Sequence, residues 1–238
     1  MKKLLMGLVL LLFQLNSFAQ EQLVMDENAS LRTLNESFDK IAVSNNIKLV
    51  ISQGVETALA VSASQESFKA EIKTEVKNGT LNIFWKGDSR WNNKSRNPIV
   101  YLSFKEIQSI EVSGASSVNV IGVLVLKKFN IALSGASKFS ATLKTPILMM
   151  DLSGASKANL LGNVNQLNIE CSGASDVNGY DLIADTVRVK ASGASDIMLS
   201  IVNELNAEAS GASHIYYKGK PAIMHVTASG VSKISPTN

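Results

Sequence analysis

The amino-acid sequence predicts an all-β fold, a single-stranded parallel β-helix (a right-handed β-solenoid) with coils of about 19–20 residues. Two observations carry this. Ser-Gly-Ala-Ser begins at Ser113, Ser134, Ser153, Ser172, Ser192 and Ser210 and returns as Ser-Gly-Val-Ser at Ser229, at spacings of 21, 19, 19, 20, 18 and 19 residues. A period near 20 residues is that of a solenoid, whose repeats bury their apolar faces only against their neighbours. Around each tetrapeptide, apolar and polar residues then alternate with period two, the pattern of a strand with one face inward. Helical repeats need apolar spacings of three and four, and leucine-rich repeats their Leu-x-x-Leu-x-Leu frame. Neither occurs here.

Residues 1–19 read as a signal peptide. Lys2 and Lys3 precede the apolar run Leu4 to Phe13, and Ser17-Phe18-Ala19 supplies a small-residue cleavage site. The apolar run is short for a bilayer crossing, so no transmembrane segment is expected after cleavage. The protein is therefore expected to be exported, to the periplasm, outer surface or extracellular space. Removing these residues takes two of the 23 basic residues and leaves 21 against 20 acidic ones. Such a balance has no electrostatic footprint for nucleic acid. Cys171, the single cysteine, falls in a row otherwise held by Val, Leu and Ala, and reads as a small core hydrophobe.

Residues 20–37 are polar and aperiodic, a leader or N-terminal cap. Residues 38–238 form the β-helix domain, with degenerate coils over 38–108 and regular ones over 109–238. In the degenerate part Ile41 and Val43 alternate, Ser44-Asn45-Asn46 stands near the place of the tetrapeptide, and Ile47, Leu49 and Ile51 resume. Further strands are expected near Thr57–Ala63, Glu71–Val76, Thr80–Trp85 and Ile99–Phe104, with Asn78-Gly79 as a tight turn. A separate small β-domain is the alternative for this segment.

In the regular part the core rows are explicit. Val112, Leu133, Leu152, Cys171, Ala191, Ala209 and Ala228 precede the first serine, and Val118, Phe139, Ala158, Val177, Ile197, Ile215 and Ile234 follow it five residues later. The pre-corner row shrinks to Ala, so the coil must narrow there or be filled from another side. The tetrapeptide itself is a corner. Gly114, Gly135, Gly154, Gly173, Gly193, Gly211 and Gly230 supply the backbone freedom the bend needs, and the serines form hydroxyl ladders bonded to the next rung or to local backbone. Tyr180, Tyr216 and Tyr217 are expected to close the core near the C-terminus. The last coil's edge, flanked by Lys233 and Pro236, is expected to be either a blunt polar end or a surface for self-association.

The Phe38…Ile41-Ala-Val43 entry, the Leu81-Asn-Ile83 strand and the Ser-Gly-Ala-Ser repeats resemble the putative auto-transporter adhesin, head GIN domain family, over roughly residues 38–234. The resemblance implies an exported bacterial envelope protein with a right-handed β-helix. No self-transporting membrane barrel is expected within these residues.

Three constellations are candidates for chemistry. Iterated serines with His214 and His225 suggest a hydrolase, but nucleophilic catalysis needs one serine activated by one oriented base, and no Gly-x-Ser-x-Gly elbow is present. Phosphate-loop, His-Glu-x-x-His and cysteine-cluster motifs are also lacking, so neither cofactor nor metal is expected. The residues after the second serine, among them Lys157, Asp176, Asp196 and His214, form a charged ladder if the coils stack in register. Asp176 beside Asp196 is a like-charge contact that would suit a polysaccharide lyase or glycosidase, or else a solvated face relieved by Lys157 and His214. The stretch Phe84–Pro98 holds both tryptophans, Trp85 and Trp91, with Lys86, Arg90, Lys94 and Arg96 in a loop longer than most connections. Aromatic faces and cations at Trp85, Arg90, Trp91, Lys94 and Arg96 suit a glycan or other envelope component. The reading is thus a non-enzymatic, adhesin-like or ligand-presenting envelope module. The alternatives are an enzyme using Asp176 and Asp196, or a purely structural, self-associating protein.

Overall fold

The computed structural model describes residues 23–87 and 96–237, and the expected signal peptide lies outside them, as do Arg90, Trp91 and Lys94. The chain is a parallel β-solenoid. Its strands in order are β1 (Ser30–Arg32), β2 (Lys40–Ser44), β3 (Lys48–Gln53), β4 (Ala58–Ser62), β5 (Ile72–Lys77), β6 (Thr80–Trp85), β7 (Ile99–Phe104), β8 (Ser109–Val112), β9 (Ser117–Val125), β10 (Lys128–Leu133), β11 (Lys138–Leu152), β12 (Lys157–Cys171), β13 (Asp176–Ala191), β14 (Asp196–Ala209), β15 (His214–Lys218), β16 (Ile223–Ala228) and β17 (Lys233–Pro236). One short helix, α1 (Glu66–Lys69), lies between β4 and β5.

Two walls meet at the tetrapeptide corner. The wall before it stacks β6, β2, β8 and β10, then the second halves of β11 to β14, then β16. The wall after it stacks β7, β3, β9, the first halves of β11 to β14, then β15 and β17. Inward side chains from both walls fill one continuous core. Where Ala207 and Ala209 leave room near the C-terminus, Leu199 and Tyr217 supply bulk from the other wall, so the core is filled from a second side and not narrowed to nothing. Of the three tyrosines expected to close this region, only Tyr217 is buried, and its hydroxyl reaches Met224 Sδ at 3.9 Å.

The corner is held by three sets of bonds. From Ala136 to Ala212 the N–H of the corner alanine donates to the carbonyl of the glycine one coil earlier, as in Ala155 N to Gly135 O at 2.7 Å, so the backbone ladder continues around the bend. From Ser116 to Ser213 the second serine is fully buried, and at Ser156, Ser175, Ser195, Ser213 and Ser232 its hydroxyl donates to the first serine's carbonyl, as in Ser156 Oγ to Ser153 O at 2.7 Å. The first serine's hydroxyl donates to the preceding coil, as in Ser192 Oγ to Cys171 O at 3.2 Å. Glycine is required twice over. Gly154 has φ +72°, and a Cβ there would lie 2.6 Å from Gly135 O. In the first coil Asn45 and Asn46 adopt φ 62° and 65°, and Ser113 N donates to Val43 O, so Ser-Asn-Asn-Ile is the corner of that coil.

The segment expected as successive degenerate coils is wound differently. β6 and β7 form a coil stacked on one side of β2–β3, while β8 and β9 stack on the other side, so chain order and stacking order part company. β4 and β5 run antiparallel to β7 and β6, and β1 runs antiparallel to β4. These antiparallel strands close the end of the stack. Side-chain pins hold the closure. Arg32 donates to Ile72 O at 2.5 Å and Lys69 O at 2.6 Å, and buried Lys69 donates to Asn28 O at 2.7 Å and Ser30 Oγ at 2.9 Å. The physical reason for the departure is that a solenoid's first coil needs a cover that the repeat itself cannot supply.

Candidate functional site

The pairings Ser44↔Phe84 and Lys48↔Ile99 place residues 85–98 where other coils carry their four-residue corner. The described ends of the long segment, Trp85 to Gly87 and Arg96 to Pro98, thus lie at the corner of the coil next to the cap. Trp85 occupies the position facing Asn45, whose Nδ2 donates to Trp85 O at 3.1 Å. The Trp85 indole packs on Phe68, with ring centroids 6.1 Å apart, and the Arg96 guanidinium stands 5.3 Å from the indole centroid. Attraction between a guanidinium and an aromatic face favours this arrangement. Trp85 Nε1 is buried and has no hydrogen-bond partner among the described residues. At Gly87 a side chain would begin 2.6 Å from Nε1, so glycine is what fits beside the indole edge. Trp85 and Arg96 are therefore brought together at this corner.

The charged ladder lies on the other side of the corner. Lys138, Lys157, Asp176, Asp196, His214 and Lys233 are successive register partners. Lys157 Nζ lies 2.6 Å from Asp176 Oδ2, and His214 Nδ1 lies 3.0 Å from Asp196 Oδ1. Each aspartate thus engages its own outer neighbour. The hydrogen bond and charge of Asp176 raise the pKa of Lys157. His214 also stacks on Tyr216, with ring centroids 5.9 Å apart. Both carboxylates that a lyase or glycosidase would use are engaged by these partners. Among the described residues no group of three or more His, Cys, Asp or Glu is placed to hold a metal ion. Cys171 is buried, and burial, with Asp151 and Asp176 nearby, pushes its thiol up to about 12, so it stays protonated and unreactive.

The sequence reading passed over a third feature. On the wall before the corner, Glu111, Ala132, Asp151, Glu170, Lys190 and Glu208 form an outward row beside the first-serine ladder. Two depressions follow it. One of about 390 Å³ runs from Phe84 and Ser44 past Ser113 to Asp151, and one of about 470 Å³ continues from Asp151 past Glu170 to Thr227. Together they make a shallow furrow along the corner edge that begins beside the Trp85 corner. The recurrence of carboxylates at one offset from the serine was its signal in the sequence.

Comparison with known proteins follows the fold. A family model described as putative auto-transporter adhesin, head GIN domain, matches residues 37–221. A putative adhesin from Bacteroides fragilis is 19% identical with a TM-score of 0.80, the match covering 89% of this chain and 98% of that one. A putative adhesin from Parabacteroides distasonis is 18% identical, TM-score 0.70, over 88% and 96% of the two chains. A putative lipid binding protein from Parabacteroides distasonis is also 18% identical, TM-score 0.60, over 90% and 98%. At these identities the likeness is one of fold. No curated protein matches the chain.

Proposed function

The chain belongs to the putative auto-transporter adhesin, head GIN domain family, and from that premise we propose that it is an exported, non-enzymatic envelope module that binds a glycan at its corner edge. The observation that carries this reading is the long stretch of chain between paired Phe84 and Ile99, at a place where the tetrapeptide coils carry a four-residue bend. It joins the Trp85 face and the Arg96 charge to the start of a furrow rimmed by serine hydroxyls and carboxylates. Sugars are held by aromatic stacking and by many hydrogen bonds, and a straight wall of stacked strands presents such groups in a line. Arg90, Trp91 and Lys94 extend the same loop in sequence and complete the proposed contact set. Export is supported by the signal-peptide pattern, and no helix among the described residues is long and apolar enough to cross a membrane.

The test is binding of the purified protein to arrays of neutral and anionic glycans and to envelope extracts. Replacing Arg90, Trp91, Lys94 and Arg96 together by Ala is expected to abolish retention, while Lys157→Ala on the opposite ladder leaves it intact. Unchanged binding by the quadruple variant overturns the site. Depolymerisation of a uronate-containing polymer that stops on Asp196→Asn would overturn the non-enzymatic reading.

A further inference from the structure

We propose that the protein forms a two-fold dimer through its last coil, with β16 of one copy pairing antiparallel to β16 of a second and Val226 on the axis. The starting observation is a break in burial. Leu205 and Ala207 are fully buried in β14, yet the residues stacked on them, Met224 and Val226, are 41% and 48% exposed. Ile223 beside them is 52% exposed. Met224 and Val226 continue the core columns, while Ile223 stacks on Glu204 in an outward row, so the last coil shows the core in cross-section. Among the described residues β16 pairs only with β14, and its other edge has no partner strand.

The two strands of this coil are treated differently. β17 carries Lys233 and Pro236, a charge and a missing N–H that discourage strand addition. β16 reads Ile-Met-His-Val-Thr-Ala, β-prone, without Pro, Lys or carboxylate. Ser229 N donates to Ala209 O, back towards β14. By strand alternation the N–H and C=O groups of Met224, Val226 and Ala228 therefore point outward.

A second copy fits this edge in one self-complementary way. With the two-fold axis through Val226 and directed into the coil, Val226 pairs with its own counterpart and Met224 with Ala228 of the other copy. Each pair exchanges both backbone hydrogen bonds. Large stacks on small, and both interiors stay on the same side, so the exposed columns of the two copies close one core. Head-to-tail stacking lacks a matching surface. The opposite end is covered by three-residue β1, and the free edge of β5 bears Lys73, Glu75 and Lys77. A contact of tail on tail closes after two copies. One coil end is small beside a standard interface of roughly 800 Å² per partner, so the dimer is weak and concentration-dependent.

Sedimentation velocity over a concentration series tests this. The protein is expected to pass from monomer to dimer and no further, and Val226→Lys to remain monomeric. A second measurement keeps the test independent of that variant. Val226→Cys is expected to form a disulfide-linked dimer on mild oxidation, since directly paired residues of this type have Cα atoms about 5.5 Å apart. Val231→Cys, exposed at the corner, is not, and buried Cys171 leaves the added thiol as the reactive one. A protein that stays monomeric throughout, assembles beyond a dimer, dimerises unchanged as Val226→Lys, or fails to cross-link as Val226→Cys overturns the proposal.

Discussion

At one end of the solenoid, antiparallel β1, β4 and β5 cover the coil formed by β6 and β7, and Arg32, Lys69 and Asp26 pin the cover down. At the other end the last coil leaves Ile223, Met224 and Val226 open to solvent. The repeat holds each coil by its neighbours, so a coil with one neighbour must be finished by something that is not the repeat. The capped end does this with sequence that has lost the tetrapeptide. The same loss leaves room in the sequence for the long segment between Trp85 and Arg96, so the cap and the proposed contact residues share an end.

Matched truncations separate the two ends most sharply. Phe104→Ala, at a fully buried position in the capped coil, is expected to cost about 3–5 kcal/mol in chemical denaturation. Met224→Ala in the open coil is expected to cost less than about 1 kcal/mol, measured where the protein is monomeric. Equal losses would mean that the open coil is as well packed as the capped one. The corner glycines sharpen the same contrast. Gly154→Ala meets both a positive φ and a backbone oxygen at 2.6 Å, and is expected to cost about 2–4 kcal/mol. Gly230→Ala has nearly the same φ, +73°, with Gly211 O at 2.8 Å, but the last coil can shift outward. Its cost should fall towards the conformational share alone, about 1–2 kcal/mol. Gly122→Ala, with φ +75° and nothing within 4 Å, calibrates that share.

The difference between the ends also marks what could be read from the chain. The regular coils were legible because every position is written seven times, so the in-register rows from Ser113 to Ser229 follow from alignment alone. In the capped end the strands themselves were legible, and Asn78-Gly79 does turn β5 into β6 with φ 52° and 73°. Their stacking order was not. Alternation of buried and exposed residues is the same for a parallel and an antiparallel strand, and for either neighbour of β2–β3, so tertiary fit decides. At the candidate site the ladder from Lys157 to His214 followed from register. The furrow did not, because period-two alternation marks Glu111, Asp151, Glu170 and Glu208 only as outward positions.

Asp26 gives the smallest and most local contrast. Its carboxylate accepts hydrogen bonds from Ser62 Oγ at 2.7 Å, Tyr101 Oη at 2.9 Å and Asn28 N at 2.9 Å, tying the leader to β4 and β7. Partial burial pushes its pKa up, but these bonds and the Lys69 charge outweigh that, and the carboxyl titrates below its ordinary value. A group depressed in this way stabilises the folded state above its unfolded pKa and loses that contribution as the pH falls through the folded one. Lowering the pH from about 5 to about 3 should therefore loosen β1 from β4, since carboxyls titrate ordinarily near 4. Amide exchange at Arg32 and Leu59–Val61, corrected for intrinsic rates, should lose protection over that interval, while β13 and β14 keep theirs. Asp26→Asn should make the β1–β4 protection independent of pH. Protection that falls equally in the asparagine variant would show that the acid sensitivity of the cap resides elsewhere, and the pinned end would then differ from the open one in packing alone.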